Sequence, residues 1–296
     1  MSPALEVLAT GPLVLVEDAG RPGLAAVGVG RSGAADRTAH RLGARLVGHP
    51  EDRAALEVLL GGLVVRARGR VTVVLTGAAL PATVDGRPVA HATLLPLADG
   101  ATLALGTPVT GLRTYLTARG GIDVPPVLGS RSTDTLAGLG PVPVRVGDVL
   151  PVGDPAGAFP TVDHAAVAAQ PGAGAVLLEV LPGPRAAWVG GWATGLGGLL
   201  GAVRVVSGDS DRVGLRLTGP PVERVARWTG VELPSEGMVR GAVQVPPDGE
   251  PVAFLADHPV TGGYPVVGVL TASACDRAAQ LRPGEGVRLT GAARLG

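Results

Sequence analysis

Short apolar runs, each cut off by Gly, Pro or Asp, recur along the whole chain, and this spacing limits the fold more than any other feature. The runs include Gly62–Ala67, Val71–Leu75, Thr102–Leu105, Arg113–Ala118, Val176–Leu181, Val203–Ser207, Val252–Leu255 and Gly286–Leu289. Turn pairs follow closely: Asp85-Gly86, Asp99-Gly100, Gly147-Asp148, Asp248-Gly249 and Pro283-Gly284. Many short strands at this spacing predict a mainly β chain, built as barrels or sandwiches rather than as parallel α/β units. Helices are few and short. Ala35, Ala39, Leu42 and Leu46 recur at helical spacing, with Ser32 as the expected N-cap and Gly48 as the stop. Pro221–Trp228 and Ala272–Leu281 are weaker helical segments.

A chain of 296 residues with 47 Gly and 27 Pro comes close to low-complexity composition, but its Val, Leu and Ala fall in periodic runs that can bury a core. Aromatic residues are only 2%, so that core is aliphatic. The 25 basic and 25 acidic residues cancel, which leaves no basic face for a nucleic acid. There is no Lys, so a Schiff base, a P-loop lysine and a biotinyl-lysine on this chain are excluded. Cys275 is the only cysteine, which excludes an internal disulfide and suits a reducing compartment. No basic stretch followed by an apolar one opens the chain, and Gly190–Val206 is too short and glycine-laden to span a membrane. The expectation is a soluble, cytoplasmic protein that binds neither membrane nor nucleic acid.

The halves resemble one another. Leu5-Glu6-Val7-Leu8 recurs as Leu178-Glu179-Val180-Leu181, and Gly11-Pro12 as Gly183-Pro184. Glu57, Gly62 and Gly69 are echoed by Glu236, Gly241 and Gly249, each set ahead of a strand. A duplication with loop insertions accounts for the drifting offset. Two domains are expected, 1–155 and 175–296, joined within the Pro-, Ala- and Gly-rich stretch Pro151–Gly174.

Several polar constellations can carry chemistry. Gly129-Ser130-Arg131-Ser132-Thr133-Asp134 is the densest. Its hydroxyls and the Arg131 guanidinium suit an anion or a carboxylate substrate, or else the run is a capped loop. In Asp257-His258-Pro259-Val260-Thr261-Gly262-Gly263-Tyr264-Pro265 the paired glycines can form an anion nest. Asp257 is a base or an orienter there and Tyr264 a hydroxyl donor, unless the segment is only a hairpin turn. Glu236 and Gln244 can face one cleft as carboxylate and amide. Ser32 and Asp36 mark an N-terminal cluster with Asp18, and Arg212 ends Ser210-Asp211-Arg212. The five histidines show no metal-ligand spacing, and with one Cys no zinc pattern exists, so no metal site is expected. Gly28-x-Gly30-x-x-Gly33 matches the dinucleotide fingerprint by letters but lacks a surrounding βαβ unit.

Taken in order, these motifs resemble one family. Asp18-Ala-Gly-Arg-Pro-Gly, Gly30-Arg-Ser-Gly-Ala-Ala-Asp36, Tyr115-Leu-x-x-Arg-Gly-Gly-Ile122, Val127-Leu-Gly-Ser-Arg-Ser-Thr-Asp134, Ser235-Glu-Gly, Gln244-Val-Pro-Pro and Thr261-Gly-Gly-Tyr-Pro265 follow the pattern of the biotin-dependent carboxyltransferase-like family. That family includes the C component of the bacterial ATP-dependent 5-oxoprolinase, also called KipA or allophanate hydrolase subunit 2, and part of the carboxyltransferase domain of urea carboxylase. The resemblance implies two tandem cyclophilin-like β-barrels. It also implies a KipI-type partner (the B component) and a LamB/YcsF-type partner (the A component). Together these use ATP to hydrolyse the cyclic amide 5-oxoproline to glutamate. Two other functions are implied. One is a carboxyltransferase chain that works on urea or a small amide, with biotin carried on another chain. The other is a non-catalytic, Kip-type regulatory binding protein. Asp257, Arg131, Glu236 and Tyr264 become the expected catalytic residues. Ser130, Ser132, Thr133, Ser32, Asp36, Arg212, Gln244, Thr261, Gly262 and Gly263 become the expected substrate- or anion-binding ones. One departure stands out: Val266 follows Thr-Gly-Gly-Tyr-Pro where the family often has Lys.

Overall fold

The computed structural model describes residues 2–166 and 174–292. They group into two compact units. The first holds 2–22, 32–134 and 138–166; the second holds 23–31, 135–137 and 174–292. Strands are the main regular element of both, with few helices. Part of the stretch expected to join two domains, 167–173, lies outside the described residues, as do 293–296 at the end of the second expected domain; residues 151–166 pack with the first unit.

The first unit comprises β1 (Ala4–Thr10), β2 (Leu13–Glu17), α1 (Arg37–Val47), β3 (Ala55–Leu59), β4 (Leu63–Arg68), β5 (Val71–Gly77), β6 (Ala82–Val84), β7 (Arg87–Val89), β8 (Leu95–Leu97), β9 (Thr102–Leu105), β10 (Arg113–Ala118) and β11 (Val149–Pro151). One sheet runs β11-β1-β4-β9-β6-β7 and the other β2-β3-β10-β5-β8. Period-two alternation explains which sides meet. Leu63, Val65 and Ala67 of β4 face inward while Arg66 and Arg68 stay exposed. They join Leu5, Val7, Val58, Val73, Leu103 and Leu116 in one aliphatic core.

Strand β10 is buried on both faces because α1 covers the side opposite the core. Gly43 permits that approach: a Cβ there would lie 2.4 Å from Thr117 Oγ1. The helix is capped by Asp36, whose carboxylate accepts from Ala39 N at 2.9 Å, and ends at Gly48 in the left-handed region. Ser32 is therefore not the cap. It lies upstream, buried, at φ +54°, and donates to Thr133 O at 3.2 Å.

The second unit comprises β12 (Val176–Pro182), β13 (Val203–Val206), β14 (Gly214–Thr218), β15 (Glu236–Gly237), β16 (Ala242–Gln244), β17 (Val252–Phe254), β18 (Thr261–Gly262), β19 (Val266–Leu270) and β20 (Gly286–Gly291). Seven of them close into a barrel in the order β12-β19-β16-β17-β14-β13-β20, and β15 pairs with β18 beside it. The barrel closes where β20 runs parallel to β12, with Val176 opposite Val287. Leu178, Val180, Leu215, Leu217, Val243, Val267, Val287 and Leu289 fill its interior. Helix Ala272–Ala278, capped by Thr271, packs Ala274, Cys275 and Ala278 into the same core. Pro221–Trp228 is not an α-helix; only Ala226–Trp228 makes a 3₁₀ turn, since Pro220 and Pro221 deny the segment amide donors. The repeated tetrapeptides start β1 and β12, yet β1 pairs antiparallel on both sides while β12 pairs parallel on one.

Candidate functional site

In the first unit the Gly129–Asp134 run is folded around a buried carboxylate. Asp18 accepts from Ser130 Oγ and Ser132 Oγ, both at 2.7 Å, from Gly20 N at 2.7 Å and from Arg131 N at 2.6 Å. Its own amide donates to Ser132 Oγ at 2.9 Å. Thr133 Oγ1 donates to Pro141 O at 3.0 Å. Arg131 does not present an open fork: Nε donates to Val124 O and Nη2 to Asp123, both at 2.7 Å. Arg21, wholly buried, donates to Ser132 O and lies 4.0 Å from the Asp134 carboxylate. The hydroxyls of Ser130 and Ser132, expected to meet a ligand, face Asp18 instead. A buried carboxylate needs donors, and these serines are the ones at hand.

A second buried network fixes the approach to α1. Tyr115 and Glu57 are register partners across β10 and β3, so their side chains share one face, and Tyr115 Oη donates to Glu57 at 2.7 Å. Ala35 N donates to the same carboxylate at 3.0 Å, Arg113 lies 3.2 Å from its other oxygen, and Asp36 N donates to Tyr115 Oη at 2.8 Å. Burial first, and the Glu57 charge second, push the Tyr115 phenol well above its ordinary pKa, so it stays a neutral donor. His40, packed edge-on to Tyr115, is held below the usual histidine range by burial. Glu57, Arg113 and Arg21 are not among the expected site residues, although Glu57 marks the internal repeat and Arg21 belongs to the Asp18 motif. Only the strand register, which no motif encodes, puts the first two beside Tyr115.

In the second unit Asp257 and Arg212 meet. Arg212 Nε and Nη2 donate to the two Asp257 oxygens at 2.8 and 3.0 Å, and both residues are buried. Thr135 adds its amide at 3.0 Å and its hydroxyl at 2.7 Å to the same carboxylate. A carboxylate gripped by a guanidinium fork and two further donors is a poor proton acceptor. The arrangement suits an anchor and orienter better than an open base. Downstream, Val260 O accepts from Met238 N at 2.9 Å, Thr261–Gly262 pairs with Glu236–Gly237, and Tyr264 O accepts from Gln244 Nε2 at 2.9 Å. The segment from Asp257 to Tyr264 is thus tied along its length, and it exposes Thr261, Gly263 and Tyr264.

The paired glycines do not form a nest, since neither has a positive φ. Gly262 is needed for space: a Cβ there would lie 2.7 Å from Gln244 Nε2. Glu236 is half-exposed and held by Arg185, which donates through Nε at 3.1 Å and through Nη2. That contact keeps its carboxyl below the ordinary range. Glu236 and Gln244 are brought to the same hairpin through β15 and Tyr264. Val266 is buried against Met238 and Ala242, so its side chain makes an apolar contact. Among the described residues no helix is long and apolar enough to cross a membrane, and no three His, Cys, Asp or Glu side chains gather as a metal site.

With this geometry in view, residues 27–291 match the family described as "Carboxyltransferase domain, subdomain A and B". The chain is 34% identical to the C component of 5-oxoprolinase from Escherichia coli, over 95% of this chain and 89% of that protein. It is 30% identical to "Urea amidolyase" of Lachancea kluyveri, over 96% of this chain but only 17% of that protein. The crystal structure of TTHA0988 superposes with a TM-score of 0.84 at 32% identity, over 98% of this chain. This chain spans 56% of that solved chain.

Proposed function

Because the chain belongs to the family of carboxyltransferase domains, subdomains A and B, we propose that it is the C component of an ATP-dependent 5-oxoprolinase. In this reading it works in the cytoplasm, in complex with a KipI-type B component and a LamB/YcsF-type A component, and helps hydrolyse 5-oxo-L-proline to L-glutamate. The observation that carries the reading is the match to a 5-oxoprolinase C component along nearly the full length of both chains.

Opening a five-membered lactam needs an activated carbonyl and an oriented water. ATP phosphorylates the amide oxygen and leaves as ADP; one water adds to the carbonyl carbon, the C–N bond breaks as the ring nitrogen takes a proton, and a second water cleaves the resulting acyl phosphate to carboxylate and phosphate. The exposed hairpin Thr261–Tyr264 contributes the Tyr264 hydroxyl as a donor toward the substrate, and Glu236, ionised beside Arg185, orients the polar end of the site. Asp257, Arg212 and Thr135 fix the hairpin's base. Arg131 and Arg212 are each bound to a carboxylate of their own unit, so they are not open phosphate clamps. The test is reconstitution. The chain alone turns nothing over, and with its B and A partners it releases glutamate and phosphate from 5-oxo-L-proline and ATP. A complete set that releases no phosphate ends the reading.

The 30% identity to a urea amidolyase favours one second reading, a carboxyltransferase that passes CO₂ from carboxybiotin to a urea-like acceptor. With no Lys in this chain the biotin rides on another. Transfer of labelled carboxylate from a biotin carrier to urea, with no 5-oxoproline turnover, selects it.

A further inference from the structure

Two of the chain's three tryptophans, Trp188 and Trp228, stack with ring centroids 4.7 Å apart and planes 4° from parallel. The Arg224 guanidinium lies 5.6 Å from the Trp188 ring centre, and that of Arg227 lies 5.4 Å from the Trp228 ring centre. The rings sit in two 3₁₀ turns, Ala186–Val189 and Ala226–Trp228, tied by Val225 N donating to Trp188 O at 2.8 Å. These contacts explain how the turns pack, but they leave donors over. Trp228 Nε1 and Arg224 Nε are enclosed with no acceptor among the described residues. Arg224 otherwise makes only two long bonds, to Val231 O and Val245 O at 3.4 Å. Arg227 is exposed and forms no hydrogen bond or ion pair with any described residue. Glu223 and Glu232, the carboxylates of the same segment, pair with neither arginine. The segment also passes the hairpin described above, since a Cβ on Gly263 would lie 3.6 Å from Leu233 O.

Enclosed N–H groups without acceptors are rare in native folds, and two in one cluster beside an open guanidinium point to an acceptor brought by a ligand. Paired indoles prefer a flat partner, and guanidinium groups prefer a carboxylate or phosphate. We propose that Trp228, Arg224 and Arg227, with the buried Trp188 backing the Trp228 ring, form a binding subsite for a flat ring carrying an anionic oxygen. Two compounds of the reaction proposed above have that chemistry, 5-oxo-L-proline with its lactam and carboxylate, and ATP with its purine and phosphates. L-Glutamate has the carboxylate without the ring. The subsite rests on the 5-oxoprolinase reading for the identity of these compounds, while its occupancy is measured without turnover.

All the tryptophans lie in the second unit, so intrinsic fluorescence of the full chain reports the site. The chain is titrated separately with 5-oxo-L-proline, ATP, L-glutamate and inorganic phosphate. A saturable change is expected with 5-oxo-L-proline or ATP, at least tenfold tighter than with glutamate or phosphate; which of the two responds names the source. Arg227→Ala, at an exposed position, weakens that response at least tenfold with an unchanged circular dichroism spectrum. Trp228→Phe keeps a ring but removes the N–H, and weakens it by a similar factor; Trp188 and Trp192 remain as reporters. No response to either ring compound overturns the proposal, as does equal response to glutamate or phosphate, or wild-type binding by both variants. Binding without turnover in the reconstituted set would sink the 5-oxoprolinase reading alone; turnover without binding at these residues would sink the subsite alone.

Discussion

Replacing Asp257 by Ala takes away the carboxylate that grips the Arg212 guanidinium, only 4% exposed, and leaves the Thr135 hydroxyl without its acceptor. Removing one member of a buried ion pair costs about 3–5 kcal/mol, because the survivor stays desolvated. With a urea m-value of about 2 kcal/mol/M, that is a midpoint lowered by roughly 2 M. Tryptophan fluorescence follows the change, since Trp188, Trp192 and Trp228 all belong to the second unit. The pairing of Arg212→Met with Asp257→Leu tests the cause. Exchanging a buried ion pair for apolar groups is often neutral or stabilising by about 1–4 kcal/mol. Against that stands about 1–3 kcal/mol for the orphaned Thr135 donors. The double variant therefore returns close to the wild-type midpoint. Thr135→Val, which removes one of the two Thr135 bonds, falls between. Were Asp257 an exposed base rather than an anchor, Asp257→Ala would abolish turnover while shifting the midpoint by less than about 0.5 M. That result, or a double variant no more stable than the single, would refute the assignment.

Tyr115→Phe removes the donor to Glu57 and the acceptor of Asp36 N, and should destabilise the first unit by about 1–3 kcal/mol, read as faster amide exchange in β10 and α1. Gly262→Ala drives a methyl onto Gln244 Nε2 and breaks its bond to Tyr264 O. It should cost about 1–3 kcal/mol and lower turnover of the reconstituted complex, an effect that Gln244→Ala in the same chain partly relieves. Leu128 sits exposed at φ +51° in the turn before Ser130, so Leu128→Asn should raise stability by about 0.5–1 kcal/mol, measured by urea unfolding. His40, His49 and His91 are held below the ordinary histidine pKa chiefly by burial. The unfolded chain then binds more protons below about pH 6.5, so stability is full above that point and declines as pH drops toward the folded values. A melting temperature that stays flat between pH 7.5 and pH 5 would contradict this.

The strands were legible because alternation and turn residues act over a few neighbours. Thr102–Leu105 and Arg113–Ala118 appear with the expected limits, and Gly48 stops α1 as expected. The helix start was not, since Ser32 and Asp36 are both good caps and only the left-handed backbone at Ser32 decides between them. The family was readable from motifs in order, but not what each motif residue does. Hydroxyls, a guanidinium and a carboxylate within a few positions look alike whether they greet a ligand or hold a loop. In Gly129–Asp134 they hold a loop, because Asp18, far away in sequence, needs those donors. Asp257 was marked by its neighbours Gly262 and Gly263, yet its role is set by Arg212 and Thr135, which meet it only through the fold. Trp228 and Arg227 carry no such signal in the sequence, where their segment reads as a weak helix.

The barrel of the second unit closes through β20, which lies between β12 and β13. On a ribosome, β12 and β13 emerge long before the strand that joins them, so the barrel stays open, with two unsatisfied edges, until translation has passed Gly291. A chaperone or an assembly partner has that interval in which to shield the edges. A nascent chain stalled before Gly286 would present them to its neighbours and clump, however well the earlier unit had already folded.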